Sequence, residues 1–316
     1  MEQPLVTVIC ACYNQSRFCR ESLESVKDQT YKNLEIIIWD DASADNSVKI
    51  IENWIRENSA LKIHFIKNSE NQGICKSLNN AYRFASGKYL QLLALDDILL
   101  SDKIERHVSI LENSNNNDAL VFTDAYLMDD ESNLYQNRFI ARYINYLSIK
   151  SGNFFEQLLV RNFIPAMAVL YKTSVFEKVG LWDEELFFED YDMMLRIAKS
   201  FDFIFDATIS VQYRIHGNNT HNIFNKEMLE NQFKFLLNYA GQNAKNDEYL
   251  KDIIVSKYLS ETLSGEERKF FAKVEPENYR EKWISKNKNV HLYKVLLRFD
   301  LIKQLLDFSS NDNKLK

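Results

Sequence analysis

The feature that most constrains the fold of this 316-residue chain is a regular alternation of short apolar segments with longer amphipathic ones over the first 130 residues. The apolar segments are rich in branched and aromatic side chains, which is typical of buried strands, and the longer ones repeat apolar residues with a helical period. This order predicts parallel strands joined by crossover helices. Strands are expected at residues 5–11, 34–39, 61–66, 89–95 and 120–128, and helices at residues 16–29, 45–57, 74–85 and 102–113.

The alternation loosens after about residue 130, and beyond residue 221 only helical periodicity is left. We therefore expect an α/β domain at residues 1–220 and a helical C-terminal region at residues 221–316. In the mixed part, helices are expected at residues 154–160, 174–179 and 191–199, and strands at residues 166–171, 203–205 and 209–215.

The composition favours an ordered globular protein and argues against some classes of function. Hydrophobic residues make up 46% of the chain and prolines number three, as in folded rather than disordered proteins. The net charge of −6 argues against broad nucleic-acid binding, which needs a basic surface. No signal peptide and no run of roughly 20 apolar residues is recognisable, so a cytoplasmic location is expected. The four cysteines lack metal-ligand spacing and are expected to be reduced and to pack as small hydrophobes.

The end of the chain, residues 281–316, holds eight Lys or Arg against four acidic residues. Apolar residues recur there at helical spacing beside basic ones, which predicts a basic amphipathic helix. Two interpretations are open, because such a helix suits an anionic membrane surface but also suits packing against its own domain. The apolar residues are Leu292, Leu296, Phe299, Ile302 and Leu306, and the basic ones are Lys294, Arg298 and Lys303.

Polar residues follow four of the predicted strands at the point where each strand ends. They are Tyr13-Asn14, Asp40-Asp41, residues 68–73 and Asp96-Asp97. Because ligands of open α/β sheets bind in the crevice outside the carboxyl ends of the strands, we expect these side chains to line one site.

Asp96 and Asp97 are the strongest chemical signal in this set. Two adjacent carboxylates at the end of the apolar segment 89–95 repel each other and are costly to desolvate. A divalent cation that carries a phosphorylated ligand would compensate both charges. The alternative is a solvated turn in which Asp97 caps the next helix.

Several motifs together resemble the family 2 inverting glycosyltransferases of GT-A fold. No single motif is specific, but the series has the order and spacing of that family and covers roughly residues 5–216. It comprises Val6-Thr7-Val8-Ile9, Cys12-Tyr13-Asn14, residues 34–47, Asn71-Gln72-Gly73, Asn79, residues 85–89, Asp96-Asp97, residues 179–183 and residues 188–196. The resemblance implies a Rossmann-like mixed sheet flanked by helices.

The resemblance implies roles for the matching residues on the donor side. Asp41 would accept a hydrogen bond from the imide N–H of a uracil or thymine ring, a task that suits a group that only accepts. The alternative for Asp41 is an ordinary turn and helix cap. Tyr13 and the backbone around Cys12 would line the base pocket. The other donor-binding candidates are Asn14, Asn71, Gly73, Lys76, Asn79, Asp96 and Glu189.

One position departs from the pattern of the family. Many relatives carry an arginine directly before the asparagine matched by Asn79, where it helps to hold the diphosphate, whereas this chain has Leu78. Lys76 is the candidate substitute, although it lies at a different angle on the helix and lacks a bidentate fork.

The resemblance also implies a metal site. Asp97 would bind Mg²⁺ or Mn²⁺ bridging the two phosphates of the donor, and Asp96 would contact the ribose or the metal shell. His216 matches a late histidine that lies near the metal in many relatives. The alternative for a lone histidine is a structural role.

Asp190 is the predicted general base, which would take the proton of the acceptor hydroxyl as that oxygen attacks the anomeric carbon. Glu189 and Asp192 are competing candidates for this role. Acidic residues in the first turn of a helix are also favoured by the helix dipole alone.

The hypothesis that follows is an inverting, metal-dependent glycosyltransferase of glycan assembly. It would move a hexosyl or N-acetylhexosaminyl group from a UDP- or dTDP-sugar to a hydroxyl of a glycan or lipid-linked acceptor, in the cytoplasm or at the inner membrane face. One alternative is a sugar-phosphate nucleotidyltransferase, but that class usually has a glycine-rich loop after the first strand, which residues 10–16 lack. The other is a non-catalytic nucleotide-sugar-binding scaffold, against which Asp97 and Asp190 argue.

Overall fold

The structure is a computed structural model that describes residues 3–217, 219, 226–286, 290–291 and 293–294. The chain divides into two compact units, Met1–Met228 and Leu229–Lys316. The boundary expected at residue 220 lies among residues that are not described, so it stays a prediction. The same holds for the basic amphipathic helix, of which only Tyr293 and Lys294 are described. Within the described residues, no helix is both long and apolar enough to cross a membrane.

Strands and helices alternate over the first 94 residues as the sequence predicts, whereas further along the first unit some strands follow one another directly. The described part of the second unit is helical. The strands are β1 (Val6–Cys12), β2 (Leu34–Asp40), β3 (Ile63–Lys67), β4 (Tyr89–Ala94), β5 (Ile98–Leu99), β6 (Asp118–Phe122), β7 (Ala125–Met128), β8 (Leu134–Arg138), β9 (Val169–Lys172), β10 (Asp202–Phe205) and β11 (Val211–Arg214). The helices are α1 (Cys19–Lys27), α2 (Ser47–Glu57), α3 (Ile74–Tyr82), α4 (Lys103–Glu112), α5 (Phe155–Val160), α6 (Val175–Val179), α7 (Glu189–Ala198), α8 (Lys226–Leu237), α9 (Ala244–Leu259), α10 (Gly265–Arg268) and α11 (Tyr279–Ser285).

A seven-stranded mixed sheet of order β10-β6-β9-β4-β1-β2-β3 forms the centre of the first unit. β1 pairs in parallel with β2 and β4, whereas β9 runs antiparallel between β4 and β6. The inner strands are almost wholly apolar because helices cover a parallel sheet and leave its strands little contact with water. One buried cluster joins Val8 of β1 and Ile38 of β2 to Leu23 of α1 and Trp54 of α2.

The single strand predicted at residues 120–128 is wrong, because the chain forms two strands there in two different sheets. β6 ends at Phe122 in the large sheet, and β7 begins at Ala125 in a four-stranded sheet of order β5-β11-β7-β8. At the crossing, the Asp124 carboxylate accepts hydrogen bonds from the backbone N–H groups of Ala125 and Ile140, each at 2.8 Å. Both strands are buried and apolar, so periodicity alone does not reveal the change of sheet.

The cysteines are all buried and free, which agrees with the expectation that they pack as small hydrophobes. Burial raises the pKa of the Cys19 thiol to about 11 and raises the pKa of Cys10 and Cys12 as well. A thiol with a raised pKa is a poor nucleophile at neutral pH, so these residues contribute packing rather than chemistry.

Glu35 anchors a buried cluster near the amino-terminal ends of β1 and β2. Its carboxylate accepts hydrogen bonds from Lys62 Nζ at 2.6 Å, Thr7 Oγ1 at 2.5 Å and both the N–H and the hydroxyl of Ser86 at 2.6 and 2.7 Å. Gly87 permits this close approach, since a Cβ atom there would lie 2.5 Å from the backbone N of Thr7. Burial alone would raise the pKa of Glu35, but the bonds from Lys62, Thr7 and Ser86 outweigh it and lower the pKa to about 2.

Replacing Glu35 by glutamine is expected to lower the free energy of unfolding at pH 7 by about 3 kcal/mol, because one pKa unit corresponds to about 1.4 kcal/mol. The pKa of Glu35 is depressed in the folded state, so its contribution is present above the unfolded value of 4.5 and is lost as the pH falls towards 2. Urea unfolding of the parent and of Glu35→Gln at several pH values measures this. A stability difference that stays constant from neutral pH into the acid range would contradict the expectation.

Candidate active site

The carboxyl ends of β1, β2, β3 and β4 meet at one edge of the large sheet, as the sequence predicts. Backbone hydrogen bonds continue the pairing past the strand ends: Asp41 N donates to Cys12 O at 2.9 Å, Leu95 N to Ala11 O at 2.8 Å and Asn68 N to Asp40 O at 2.9 Å. The polar residues that follow these strands are therefore neighbours.

The turn after β1 is held to the turn after β2. Asn14 has a φ of 54°, in the left-handed region that asparagine tolerates better than most residues. Its backbone N donates to Ser43 Oγ at 2.8 Å, and its side-chain Oδ1 accepts from Ala44 N at 2.8 Å. The Tyr13 ring is half-exposed, while Cys12 is buried. The exposed ring of Tyr13 thus lies beside the two hydrogen-bonded turns that follow β1 and β2.

Asp41 is buried at the end of β2 and organises the turn that leads into α3. Its Oδ1 accepts from Asn68 Nδ2 at 2.7 Å, from Gln72 N at 2.9 Å and from Ser77 Oγ at 3.1 Å, and its Oδ2 accepts from Gly73 N at 3.0 Å. Sequence reasoning did not single out Ser77, although a serine one turn into α3 can reach the strand end. These bonds hold the Asp41 carboxylate in one orientation.

The other candidates on α3 and its turn have different surroundings. Asn71 Oδ1 accepts from Gly73 N at 3.1 Å, and Gly73 has a φ of 80°, a conformation that glycine adopts without strain. Lys76 is exposed, whereas Leu78 is buried in the core. An arginine at position 78 would have to lie where this fold packs an apolar side chain.

Asn79 connects α3 to the segment before α7. Its Nδ2 donates to Trp182 O and Glu184 Oε1, both at 2.9 Å, and its Oδ1 accepts from Trp182 N at 3.1 Å. Cys75 adds a contact from its sulfur to Leu186 O at 3.3 Å. The amide of Asn79 thus makes its observed hydrogen bonds to the protein, and a role of this residue in donor binding stays a prediction.

Asp96 and Asp97 form the turn after β4. Asp97 Oδ1 accepts from Arg214 N at 2.9 Å, and His216 Nε2 lies 2.9 Å from Asp96 Oδ2. Burial and the neighbouring charge of Asp96 raise the pKa of Asp97 well above its ordinary value, although Arg214 lowers it in part. Asp96 and Asp97 therefore need positive charge that this environment only partly supplies.

The donor atoms at this turn fit a divalent cation. Asp96 Oδ1 is buried and has no hydrogen-bond partner among the described residues. No group of three or more His, Cys, Asp or Glu side chains in the described part of the chain is placed to enclose a metal. A small set of carboxylates suits Mg²⁺ or Mn²⁺, which are commonly held by one or two carboxylates together with water and substrate phosphates.

Arg214 at the end of β11 ties the Asp96-Asp97 turn to its surroundings, and sequence reasoning did not assign it a role. Its side chain is almost fully buried and stacks over the Phe18 ring, with 4.6 Å from Cζ to the centroid. Nε donates to Asp96 O at 2.8 Å, Nη1 to Asp129 O at 3.0 Å and to Ser132 Oγ at 2.9 Å, and Nη2 to Glu21 Oε2 at 2.6 Å. Only a planar guanidinium presents donors in all these directions.

Replacing Arg214 by methionine is expected to lower the free energy of unfolding by about 3 kcal/mol, because breaking a buried charged network leaves its acceptors unpaired. We also expect weaker metal-dependent nucleotide binding, since the Asp96-Asp97 turn loses its support. Arg106→Met is the matched control, because Arg106 lies on α4 and pairs with Asp206 and Asp102. Urea unfolding and nucleotide titration measure both effects. Loss of nucleotide affinity to the same extent in both variants would contradict a specific role of Arg214.

Glu189 and Asp190 lie in the first turn of α7, whose start at Glu189 is two residues earlier than the sequence predicts. Asp190 Oδ2 accepts from Asn162 Nδ2 at 2.9 Å, and Oδ1 accepts from Tyr191 N at 2.7 Å. Burial and the charge of Asp190 raise the pKa of Glu189 to about 8. Burial also raises the pKa of Asp190, against the hydrogen bonds from Tyr191 and Asn162. Both shifts have the same direction, so burial makes each of these two carboxyls harder to ionise than a solvated one.

Asp192, unlike Asp190, forms an ion pair with Arg196. Its Oδ2 accepts from Arg196 Nε at 2.8 Å and from Nη2 at 2.6 Å. Arg196 in turn donates to the carbonyls of Val179 and Leu181, so that it joins α7 to the turn at Gly180. This ion pair explains Asp192 as a structural residue. Of the three acids in the first turn of α7, Glu189 and Asp190 are the two without a basic partner among the described ion pairs.

Tyr213 links the two acidic pairs. Burial raises the pKa of its phenol, and the negative charges of Asp97, Asp96 and Asp190 raise it further. The charges of both acidic pairs therefore act on the same phenol. Cys75 on α3 is affected by the acids of α7. Burial raises the pKa of its thiol, and the charges of Glu189, Asp192 and Asp190 raise it further. α3, which carries the Ser77 partner of Asp41, thus adjoins the acids of α7.

Comparison with known proteins agrees with the resemblance seen in the motifs. The sequence profile described as "Glycosyl transferase family 2" matches residues 7–180, which is more than half of the chain. An uncharacterized glycosyltransferase of Rickettsia prowazekii is 32% identical over 221 residues. That alignment covers 69% of this chain and 66% of the relative, so the chain spans slightly less than two thirds of its length.

Two solved structures are similar in fold. TarS 1-349 of S. aureus in complex with UDP-GlcNAc has a TM-score of 0.60 at 14% identity, over 88% of this chain and 78% of that chain. The mannosyltransferase PcManGT of Pyrobaculum calidifontis, in complex with GDP-Man and Mn²⁺, has a TM-score of 0.57 at 16% identity, over 86% of this chain and 79% of that chain. Given the extent of the family profile, the protein belongs to glycosyl transferase family 2, and its fold is GT-A.

Proposed function

We propose that the protein is a metal-dependent, inverting glycosyltransferase that moves a sugar from a UDP- or dTDP-sugar to a hydroxyl of a glycan or lipid-linked acceptor. The observation that carries the proposal is the pair of buried acidic groups, in which Asp96 Oδ1 has no hydrogen-bond partner among the described residues and Asp190 is held by Asn162 at 2.9 Å. Asp96 and Asp97 suit a divalent cation that accompanies the diphosphate of a donor. Asp190 suits an acceptor hydroxyl that must lose a proton. The activity itself is supported by family membership.

The nucleotide end of the donor would lie at the turns after β1, β2 and β3. Asp41 Oδ2 accepts one hydrogen bond, from Gly73 N, and a second lone pair of this oxygen is suited to an imide N–H. Tyr13 supplies an exposed ring for contact with the base. Uracil and thymine present one imide N–H, which matches this remaining acceptor position, whereas guanine presents two adjacent donors and Asp41 Oδ1 already accepts three hydrogen bonds.

Asp97, with His216 as the second candidate, would hold a Mn²⁺ or Mg²⁺ ion. When bound, this cation stabilises the negative charge that develops on the leaving nucleoside diphosphate. In this chain, His216 Nε2 lies 2.9 Å from Asp96 Oδ2, and Arg214 holds the backbone of the Asp96-Asp97 turn. Both contacts would keep this turn in place when the cation and the donor bind.

Asp190 would act as the general base. Burial raises its pKa, which makes its carboxylate a stronger base than that of a solvated aspartate. Asn162 donates to Oδ2 and so orients the carboxylate towards the acceptor. A single displacement at the anomeric carbon, with Asp190 on the face opposite the leaving group, inverts the configuration. Glu189, protonated beside it, can donate a hydrogen bond to the donor sugar.

The test is release of nucleoside diphosphate from a panel of UDP-, dTDP- and GDP-sugars by the purified protein with Mn²⁺ or Mg²⁺. We expect slow hydrolysis of one UDP- or dTDP-sugar without acceptor, and its loss when the metal is chelated. Pyrophosphate release from a nucleoside triphosphate and a sugar phosphate would instead support a nucleotidyltransferase. Binding without turnover, even with varied acceptors, would support the scaffold hypothesis.

A further inference from the structure

Residues 134–165 differ in charge from the rest of the chain. They hold three arginines and one lysine against one glutamate, a net charge of 4 − 1 = +3, in a protein whose net charge is −6. This segment comprises β8, the turns that follow it and α5. The basic residues are thus concentrated in one stretch that leads to the catalytic acids.

Arg138, Arg142 and Arg161, called here the arginine trio, have no carboxylate within 4 Å among the described residues, which distinguishes them from Arg17, Arg20, Arg106, Arg196 and Arg214. Arg142 and Arg161 are exposed, and Arg138 is half-buried. The charges of the trio are therefore available to a ligand. If the trio only balanced the acids of the site, ion pairs with those acids would be expected.

Aromatic rings support two members of the trio. Arg138 Cζ lies 5.2 Å from the ring centroid of Tyr146, and Arg161 Cζ lies 5.6 Å from that of Tyr143. Such stacking leaves the edges of a guanidinium, where the N–H donors are, open to a ligand. Tyr143 itself is partly exposed, and tyrosine rings pack well against the apolar faces of sugars.

Arg161 is the member of the trio that adjoins the proposed catalytic acids. Arg161 directly precedes Asn162, whose Nδ2 is 2.9 Å from Asp190 Oδ2. Tyr143, beneath Arg161, packs on Phe139 with 5.5 Å between ring centroids, and Phe139 packs on Tyr213 with 5.2 Å. The path from Arg161 to Tyr213 thus runs through consecutive ring contacts. A ligand group bound by the trio would lie on the acceptor side of Asp190.

We infer that residues 138–161 bind the acceptor and that the acceptor carries a phosphate group, held by Arg138, Arg142 and Arg161, close to the hydroxyl that receives the sugar. The inference rests on the proposed function, because it names the substrate class of the same site. Guanidinium groups bind phosphate oxygens with paired, charge-assisted hydrogen bonds. They also offset the repulsion that an anionic acceptor meets from an ionised Asp190. The phosphate belongs either to a lipid-linked pyrophosphate or to a phosphodiester polymer.

The experiment compares acceptors that differ in charge, using the full chain and the donor found in the panel. The probes are a decyl glycoside, the matching decyl-pyrophosphoryl sugar and a glycerol phosphate oligomer. Binding of each is measured by calorimetry without donor, and KM and kcat are measured with donor. The variant is the triple replacement Arg138→Gln, Arg142→Gln and Arg161→Gln. The control is Arg83→Gln, which removes an exposed arginine at the end of α3.

We expect the parent to bind one phosphate-bearing probe at least about tenfold more tightly than the uncharged glycoside, the effect of roughly one charge-assisted hydrogen bond. The triple variant should lose this preference, whereas acceptor-independent hydrolysis of the donor and the kinetics with Arg83→Gln stay unchanged. Preference for the decyl-pyrophosphoryl sugar identifies a lipid-linked acceptor, and preference for the oligomer identifies a phosphodiester polymer.

Equal binding of charged and uncharged probes by the parent would overturn the inference, as would an unchanged preference in the triple variant. The proposed function fails on a different readout, namely the absence of nucleoside diphosphate release from every nucleotide sugar. The calorimetric comparison needs no turnover, so the two failures are distinguishable.

Discussion

Replacing Asp190 by asparagine is expected to reduce kcat for sugar transfer by about 10²–10⁴-fold, the usual contribution of a general base. Asparagine keeps the size of the side chain but cannot take the proton of the acceptor hydroxyl. The affinity for the nucleotide-sugar donor should stay within about threefold of the parent, because Asp190 lies on α7 and not at the nucleotide end. Steady-state kinetics and donor titration measure the two quantities separately.

Glu189→Gln is the matched control for this variant, since it changes the neighbouring acid in the same way. The pKa of Glu189 is raised to about 8, so the residue carries its proton at pH 7 and glutamine imitates that form. We therefore expect transfer at pH 7 to stay within about threefold of the parent. In the parent, kcat should fall as the pH drops through the pKa of Asp190, because the base must be ionised. Equal loss of activity in Asp190→Asn and Glu189→Gln would refute the assignment of Asp190 as the base.

Replacing Asp97 by alanine is expected to abolish metal-dependent donor binding, with a loss of more than about 100-fold in apparent affinity for Mn²⁺. Even residues that only support metal ligands typically contribute 10–100-fold, so loss of a ligand should exceed that range. The measurement is a titration of nucleoside diphosphate or nucleotide sugar at several Mn²⁺ concentrations. Folding of the variant is checked by urea unfolding, because Asp97 also accepts a hydrogen bond from Arg214 N.

Asp102→Asn is the control for the charge of Asp97. Asp102 lies five positions further along the chain at the start of α4, with its side chain exposed and paired with Arg106. The Asp102→Asn substitution removes one negative charge and leaves the turn after β4 unchanged, so the dependence of donor binding on Mn²⁺ should persist. Donor binding that is equally dependent on Mn²⁺ in Asp97→Ala and in the parent would refute the metal assignment.

Most of the large sheet could be predicted from the sequence because its strands are short apolar segments between amphipathic helices. The polar strand ends, from Tyr13-Asn14 to Asp96-Asp97, also met at one edge as predicted, since parallel strands present their carboxyl ends together. The strand at 120–128 was predicted wrongly because both of its halves are buried. At this change of sheet, the Asp124 carboxylate accepts hydrogen bonds from Ala125 N and Ile140 N. Ile140 is 16 positions further along the chain.

Residues that hold the site in place were harder to predict than residues that carry its chemistry. Arg214 and Asn162 contact the acids directly, yet a single arginine or asparagine in a polar stretch has no distinctive pattern. Asn79 shows the reverse case, because a residue expected at the donor makes its observed hydrogen bonds to Trp182 and Glu184. Motif position indicates where a residue lies, whereas its partners depend on the packing of distant segments.

The sequence by itself determined the order of strands and helices, the acidic chemistry at the strand ends and membership of the family, because periodicity, turn residues and motif spacing are properties of neighbouring positions. Only the tertiary structure decided which groups hold one another. Arg214 and Glu21 are 193 positions apart and 2.6 Å from each other, and the acids after β4 and at the start of α7 share one tyrosine. Such contacts follow from chain packing in three dimensions, which local pattern does not encode.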